Sequence, residues 1–356
     1  MSFPVESSDG SSSLSSDLPL PNEISTTCFA LLQRRYHPVI SLVSKPFSRL
    51  IASPELYAAR SLLHTSENVI YVALRLRLEQ NPCWYSLNLK PFKDQSLLVP
   101  IPSFPSLPYW GSSVIAIGYE IYVFGGCIDG ELTSNVSVLD CRFHTCHVLP
   151  SMRVARGCAA TGVIDGKVYV IGGCKARSVD WIEMFDLEKK TWESVPGPCN
   201  EEVNEKTIKS FVMDEKIYVM DNSNSFVYDP KENKWEVETV LNEGWRVGSC
   251  VLDNILYTFG DKNQIKLYDP NTKVWRVLKG VEDLHEIRSW SRLATYGGKL
   301  AVLINVGTKG VTEISCTEIE LETREGGEVW GKILSSDRVL SIDVSSKIVK
   351  CVTVTV

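Results

Sequence analysis

Hydrophobic positions along the 356-residue chain follow one period near the N-terminus and another after residue 68. Ile24, Cys28, Leu31 and Leu32 recur at i, i+4, i+7 and i+8, and Val43, Phe47, Leu50 and Ile51 repeat that spacing, the stripe of an amphipathic helix. Pro38 suits the first turn of the second helix, where its missing N–H costs nothing. Pro46 would break a continuous helix, so a kink or restart is expected there, with Ser44 or Lys45 outside the new helix. Ser53-Pro54-Glu55 reads as cap, N1 proline and acidic first turn of a third helix through about Leu63. Ahead of these helices, residues 1–17 are Ser-rich and too poor in apolar side chains to offset backbone ordering, which predicts a disordered leader.

From residue 69 the runs become short and β-like, each bounded by Gly, Asp, Asn or Pro, and they repeat. Tyr122, Tyr169, Tyr218 and Tyr257, spaced by 47, 49 and 39 residues, each sit inside such a run. A tight turn precedes each run: Gly118-Tyr119, Asp165-Gly166, Asp214-Glu215 and Asp253-Asn254. Two of the runs leave through glycine pairs, Gly125-Gly126 and Gly172-Gly173, while Met220-Asp221 and Gly260-Asp261 stand in the same place in the next two. Downstream, Asp186 and Trp192, Asp229 and Trp235, and Asp269 and Trp275 are all six residues apart; Asp140 and Cys146 keep the offset without the Trp. Each unit thus reads as four antiparallel strands in ~40–50 residues, the size of a propeller blade. Less regular units span 69–92 and 293–334, giving six with those near 112–150, 159–196, 208–240 and 248–280. The proline-rich residues 90–108 are expected to be a loop, and 339–356 a strand pair that closes the ring on the first unit.

Composition narrows the function. The net charge of −6 argues against a generally basic nucleic-acid binder, and no run approaches the ~18 apolar residues of a membrane span. Eleven cysteines, an odd number without a C-x2-C pair or a secretory signal, fit reduced thiols in the cytoplasm or nucleus.

The glycine pair, the Tyr/Phe-Asp that follows and the Trp six residues later resemble the kelch repeat. Residues 18–63 resemble an F-box through Leu18-Pro19, the Ile24–Leu32 helix, Tyr36-His37-Pro38, Ser41-Leu42-Val43-Ser44-Lys45, Phe47 and Leu50. Together they look like a plant-type F-box/kelch-repeat protein: a small all-α module followed by an all-β kelch propeller of six blades. The resemblance implies a substrate-recognition subunit of an SKP–cullin–F-box ubiquitin ligase, with an SKP adaptor, through it cullin and RING subunits, and a protein target as partners. Adaptor-facing positions would be Leu18, Pro19, Ile24, Pro38, Leu42, Val43, Lys45 and Leu50. The module's own charge is +3, from Arg34, Arg35, Lys45, Arg49 and Arg60 against Glu23 and Glu55, which suits an acidic partner.

No catalytic constellation stands out. Cys141, His144, Cys146 and His147 form a C-x2-H-x-C-H cluster, but alternation along a strand would turn its members to opposite faces. A copper oxidase of the kelch architecture would need several His and Tyr ligands at the axis, whereas the tyrosines here fall at repeat anchors. Neither metal nor cofactor is expected, and no nucleic-acid or membrane partner. Residues about twelve places before each anchor enter the innermost strands, so Trp110, Arg156, Lys206, Trp245, Arg246, Arg288 and Trp290 are candidates for a target-binding face. Gly125, Gly126, Gly172, Gly173, Trp192, Trp235 and Trp275 are expected to be structural. An alternative function is a kelch scaffold or regulator whose F-box has weakened.

Overall fold

The computed structural model describes residues 21–79, 81–93, 95–174, 180–197, 209–221, 224–261, 263–284, 287, 290–307 and 310–356. The chain divides into two compact units, Met1–Ser66 and Glu67–Val356.

In the first unit the described residues form α1 (Asn22–Ala30), a 3-10 turn (Arg34–Tyr36), α2 (His37–Ser41), α3 (Lys45–Ile51) and α4 (Pro54–Leu62). Pro38 lies in the first turn of α2. The restart at Pro46 places Ser44 outside α3 and Lys45 inside it: the Ser44 hydroxyl accepts the Phe47 N–H at 3.2 Å. Ser53 caps α4 in the same way, accepting the Leu56 N–H at 3.3 Å. Ala30 and Leu56 are buried, and Phe29 meets Phe47 edge to face at 4.8 Å. Arg60 is fully buried and donates to the Ala30 carbonyl at 3.3 Å and the Leu32 carbonyl at 2.7 Å, groups left over where α1 ends. It therefore ties α4 to α1 and is not part of the basic surface that the charge count suggested.

The second unit contains six four-stranded antiparallel sheets, the blades of a propeller. Blades 2 to 5 are continuous in sequence and follow the repeat, starting at Ser113–Ile117, Ala160–Ile164, Lys209–Met213 and Cys250–Leu252. Blade 6 runs from Arg292–Tyr296 to Val329–Ile342. Blade 1 takes Asn68–Leu76, Cys83–Leu89 and Ser96–Pro100 from one end of the propeller and its innermost strand, Ser346–Thr355, from the other.

Three expected boundaries change. Residues 96–100, read as loop because of their prolines, supply the outer strand of blade 1, where a missing N–H can face away from the ladder. Residues 339–342 remain in blade 6, paired with the strand Thr312–Thr323. Closure therefore rests on a single strand, Ser346–Thr355, not on a strand pair.

Each blade packs on the next through its own hydrophobic cluster, and the six clusters match the six blade junctions of a closed ring. Strand alternation produces this: in blade 1, Tyr71 packs toward blade 2 with Ile121 and Val123, while Ile70 and Val72 pack toward blade 6 with Ala301 and Leu303.

The repeat residues have separate tasks. Asp186, Asp229 and Asp269 accept backbone N–H groups from two residues on, at 3.0, 3.0 and 2.9 Å, so each closes an Asx-turn between the third and fourth strands. Trp192, Trp235 and Trp275 stand opposite Phe185, Tyr228 and Tyr268 across that hairpin. The Trp192 indole donates to the Pro150 carbonyl at 2.8 Å, just past blade 2, and the Trp275 indole to the Val240 carbonyl at 2.7 Å, in the short helix Thr239–Asn242 that links blades 4 and 5. Gly173 has φ +70°, and a Cβ there would lie 2.6 Å from the Gly157 carbonyl oxygen. Its partner Gly172 and the pair Gly125 and Gly126 are also at positive φ.

Candidate protein-binding surfaces

The helical unit leaves much of its apolar surface in solvent. Leu42 is 86% and Val43 67% exposed at the junction between α2 and α3, and Ile24, Leu31, Leu32, Val39 and Leu62 are exposed as well. The stripe that predicted α1 is thus mostly an outer surface. Pro38 and Lys45 are exposed too, and Leu50 is half-buried. Leu18 and Pro19 lie outside the described residues.

On the propeller, the segments that run into the innermost strands share one face by topology, and they carry exposed aromatics. Tyr109, Trp110 and Trp290 are about half exposed. Blade 1 brings two cations between them. Arg75 and Lys347 are directly opposite across paired strands. The Arg75 guanidinium lies over the Tyr109 ring, 4.5 Å from its centroid, and the Lys347 ammonium lies over Trp290 at 4.7 Å. Tyr109, Arg75, Lys347 and Trp290 therefore make a continuous belt across blades 2, 1 and 6. Arg246 is exposed on the approach to blade 5, where it pairs with Asp261 at 3.2 Å.

Two of the expected target contacts are interior. Arg156 is buried against Glu183 at 2.8 Å, and it also donates to the carbonyls of Gly172, Trp181 and Asp180. Glu183 in turn accepts the backbone N–H groups of Arg153 at 2.6 Å and Val154 at 3.3 Å. Arg156 thus fastens the segment before blade 3 to that blade's third strand, because an Arg flanked by carbonyls and a buried carboxylate has no free donor to present. Trp245 is 2% exposed and packs on Phe211 at 5.7 Å, as part of the blade 4–blade 5 core. Lys206 and Arg288 lie outside the described residues.

Arg75 and Lys347 escaped the twelve-residue count because blade 1 is assembled from the two ends of the propeller, so its members share no offset with the other units. The signal was their position beside strands that alternate near both ends.

The F-box domain model matches residues 18–58, and the FKB95 kelch-repeats domain model matches residues 84–340, well over half of the chain. The chain belongs to the F-box/kelch-repeat family. An F-box/kelch-repeat protein of Arabidopsis thaliana is 56% identical over 342 residues, covering 95% of this chain and 91% of its own length. A putative F-box/kelch-repeat protein of the same plant is 54% identical over 354 residues, covering 95% and 92%. Membership in this family makes the helical unit an F-box, which implies an SKP-type adaptor as partner, and makes the propeller a carrier for a protein target. Proteins of the family are typically substrate adaptors. The exposed Leu42 and Val43 are on the F-box, and the aromatic belt is on the kelch propeller.

In the C-x2-H-x-C-H segment, Cys141 is buried, Cys146 is exposed, and His144 Nε2 lies 2.9 Å from the Tyr71 hydroxyl. Among the described residues no group of three or more His, Cys, Asp or Glu side chains could hold a metal ion. No described helix is long and apolar enough to cross a membrane.

Proposed function

We propose that this F-box/kelch-repeat protein is the substrate-recognition subunit of an SKP–cullin–F-box ubiquitin ligase in the cytoplasm or nucleus. The F-box would dock the SKP adaptor, and through it cullin and RING subunits, while the loop face of the propeller holds a protein for ubiquitination. The observation that carries this reading is the exposure of Leu42 and Val43, neighbouring apolar side chains of the F-box that a docked partner would cover. The chain then contributes no bond-making group: it raises the local concentration of target lysines near a loaded conjugating enzyme. The belt of Tyr109, Arg75, Lys347 and Trp290 combines aromatics with like charges placed side by side, which favours a target offering an acidic, partly apolar segment.

Co-expression with an SKP adaptor tests the first half. A stable complex that Leu42→Ala/Val43→Ala abolishes supports the ligase subunit, and the absence of any complex with the intact chain favours a kelch scaffold instead. Proximity labelling under proteasome inhibition tests the second half: candidate targets should be lost in Trp110→Ala/Trp290→Ala while the adaptor is retained.

A further inference from the structure

A cavity of about 470 Å³ runs along the propeller axis, lined by the innermost strands of all six blades. Four of its lining residues are cations, Lys209, Arg246, Arg292 and Lys350, and none is Asp or Glu, in a protein whose net charge is −6.

The blade registers put three of these cations at one level. Ser113, Ala160, Lys209, Arg292 and Lys350 stand opposite Phe124, Ile171, Met220, Leu303 and Ala73, each at the equivalent rung of its blade. Blade 5 offers Gly248 two residues before its Cys250–Tyr257 pair. Blades 4, 6 and 1 therefore aim long cationic side chains at one tier of the channel, while blades 2, 3 and 5 supply only small residues there.

Arg246 pairs with Asp261 at the channel mouth, whereas the described partners of the three tier cations are neutral. Lys209 donates to the Trp245 carbonyl at 2.8 Å. Arg292 donates to the carbonyls of Ser291 at 2.9 Å and Val349 at 3.1 Å. Lys350 has no acidic partner among the described residues. Instead the cations oppose one another: burial and the nearby Arg292 push Lys350 down to about 8, and burial and Arg246 push Lys209 down to about 8. Burial also lowers Arg292 to about 10. Uncompensated buried charge destabilises a fold, and its removal is often favourable.

We propose that the channel is a binding site for a small, multivalent, phosphate-bearing anion. One anion with several oxygen acceptors would satisfy a guanidinium and two ammonium groups at once. A monovalent ion would leave most of the charge uncompensated. The cavity volume falls in the range of small-molecule sites, roughly 300–1,000 Å³. The proposal goes beyond the ligase reading and does not depend on it, since the channel is built entirely from the propeller.

The test uses the full-length chain titrated with pyrophosphate at constant ionic strength, read by calorimetry and by thermal unfolding. Saturable binding with a raised Tm is expected, and a matched chloride series should give neither. Lys350→Met should weaken binding at least tenfold while leaving the ligand-free Tm equal or higher, and Lys209→Met should do the same. Lys332→Met, on the outer strand of blade 6, should bind within twofold of wild type. The proposal is overturned if pyrophosphate shows no saturable binding, if Lys350→Met and Lys209→Met both bind as wild type, or if Lys332→Met weakens binding as much as they do. Should either channel variant lower the ligand-free Tm, its partner variant and the calorimetric affinity still decide.

Discussion

Arg156 shows how one residue's role depends on what surrounds it. From the sequence it is an Arg near an aromatic-rich loop; in the fold it is an interior clamp whose guanidinium is shared between Glu183 and three carbonyls. Arg156→Ala would leave Glu183 buried and unpaired, and the expected loss is about 3–5 kcal/mol of propeller stability, measured by urea unfolding. Charge reversal of Arg156 would therefore report on folding and not on target capture. The repeat aspartates were legible at this scale because an Asx-turn needs only the residue and the two that follow it. The buried Glu183 was not, since nothing local marks a strand carboxylate that will face an arginine 27 residues away.

Among elements, the cap of α4 could be read directly from Ser53 and Pro54, whereas Pro46 left the start of α3 open between Ser44 and Lys45 until the structure made Ser44 the cap. Ser53→Ala removes the acceptor for the Leu56 N–H and should cost about 1 kcal/mol. The check is the midpoint of the helical signal in thermal unfolding. What periodicity could not tell was the side on which the stripe would be used. Ile24 and Leu31 fall on the apolar arc of α1 and are exposed, whereas Arg60, counted as surface charge, is internal. Leu42→Asp/Val43→Asp should abolish adaptor co-purification and leave the propeller's unfolding midpoint unchanged, because neither side chain contributes to a buried core.

The propeller is a ring closed by its last strand. Ser346–Thr355 pairs with Asn68–Leu76, and its side chains contribute to the clusters on both sides of blade 1. Truncation after Asp343 should remove that closure, expose a sheet edge and yield aggregated protein, measured as the soluble fraction after expression. The channel adds an electrostatic signature. Lys209 and Lys350 have folded pKa values near 8, below the ordinary lysine value of about 10.4, so the folded state loses these protons first as pH rises. Their charge destabilises the ligand-free fold in full below about pH 8, and the penalty falls as pH rises from there toward the unfolded-state value of about 10.4. The gain of Lys350→Met over wild type in urea midpoint should consequently shrink between pH 7 and pH 9.5.

The sequence by itself determined the number of units, the cap of α4, the turn aspartates and the Trp-bearing hairpins, because each depends on residues within one hairpin or one helical turn. It also carried the family, through motifs that are contiguous. Tertiary structure alone decided which apolar stripe stayed exposed, that Arg156 and Trp245 are interior, and that Arg75 and Lys347 meet across blade 1. It also decided that Lys209, Arg292 and Lys350 share a tier of the axis. Such placements depend on ring closure, which joins residues from opposite ends of the propeller and sets their level by strand register, a quantity that no spacing along the chain contains.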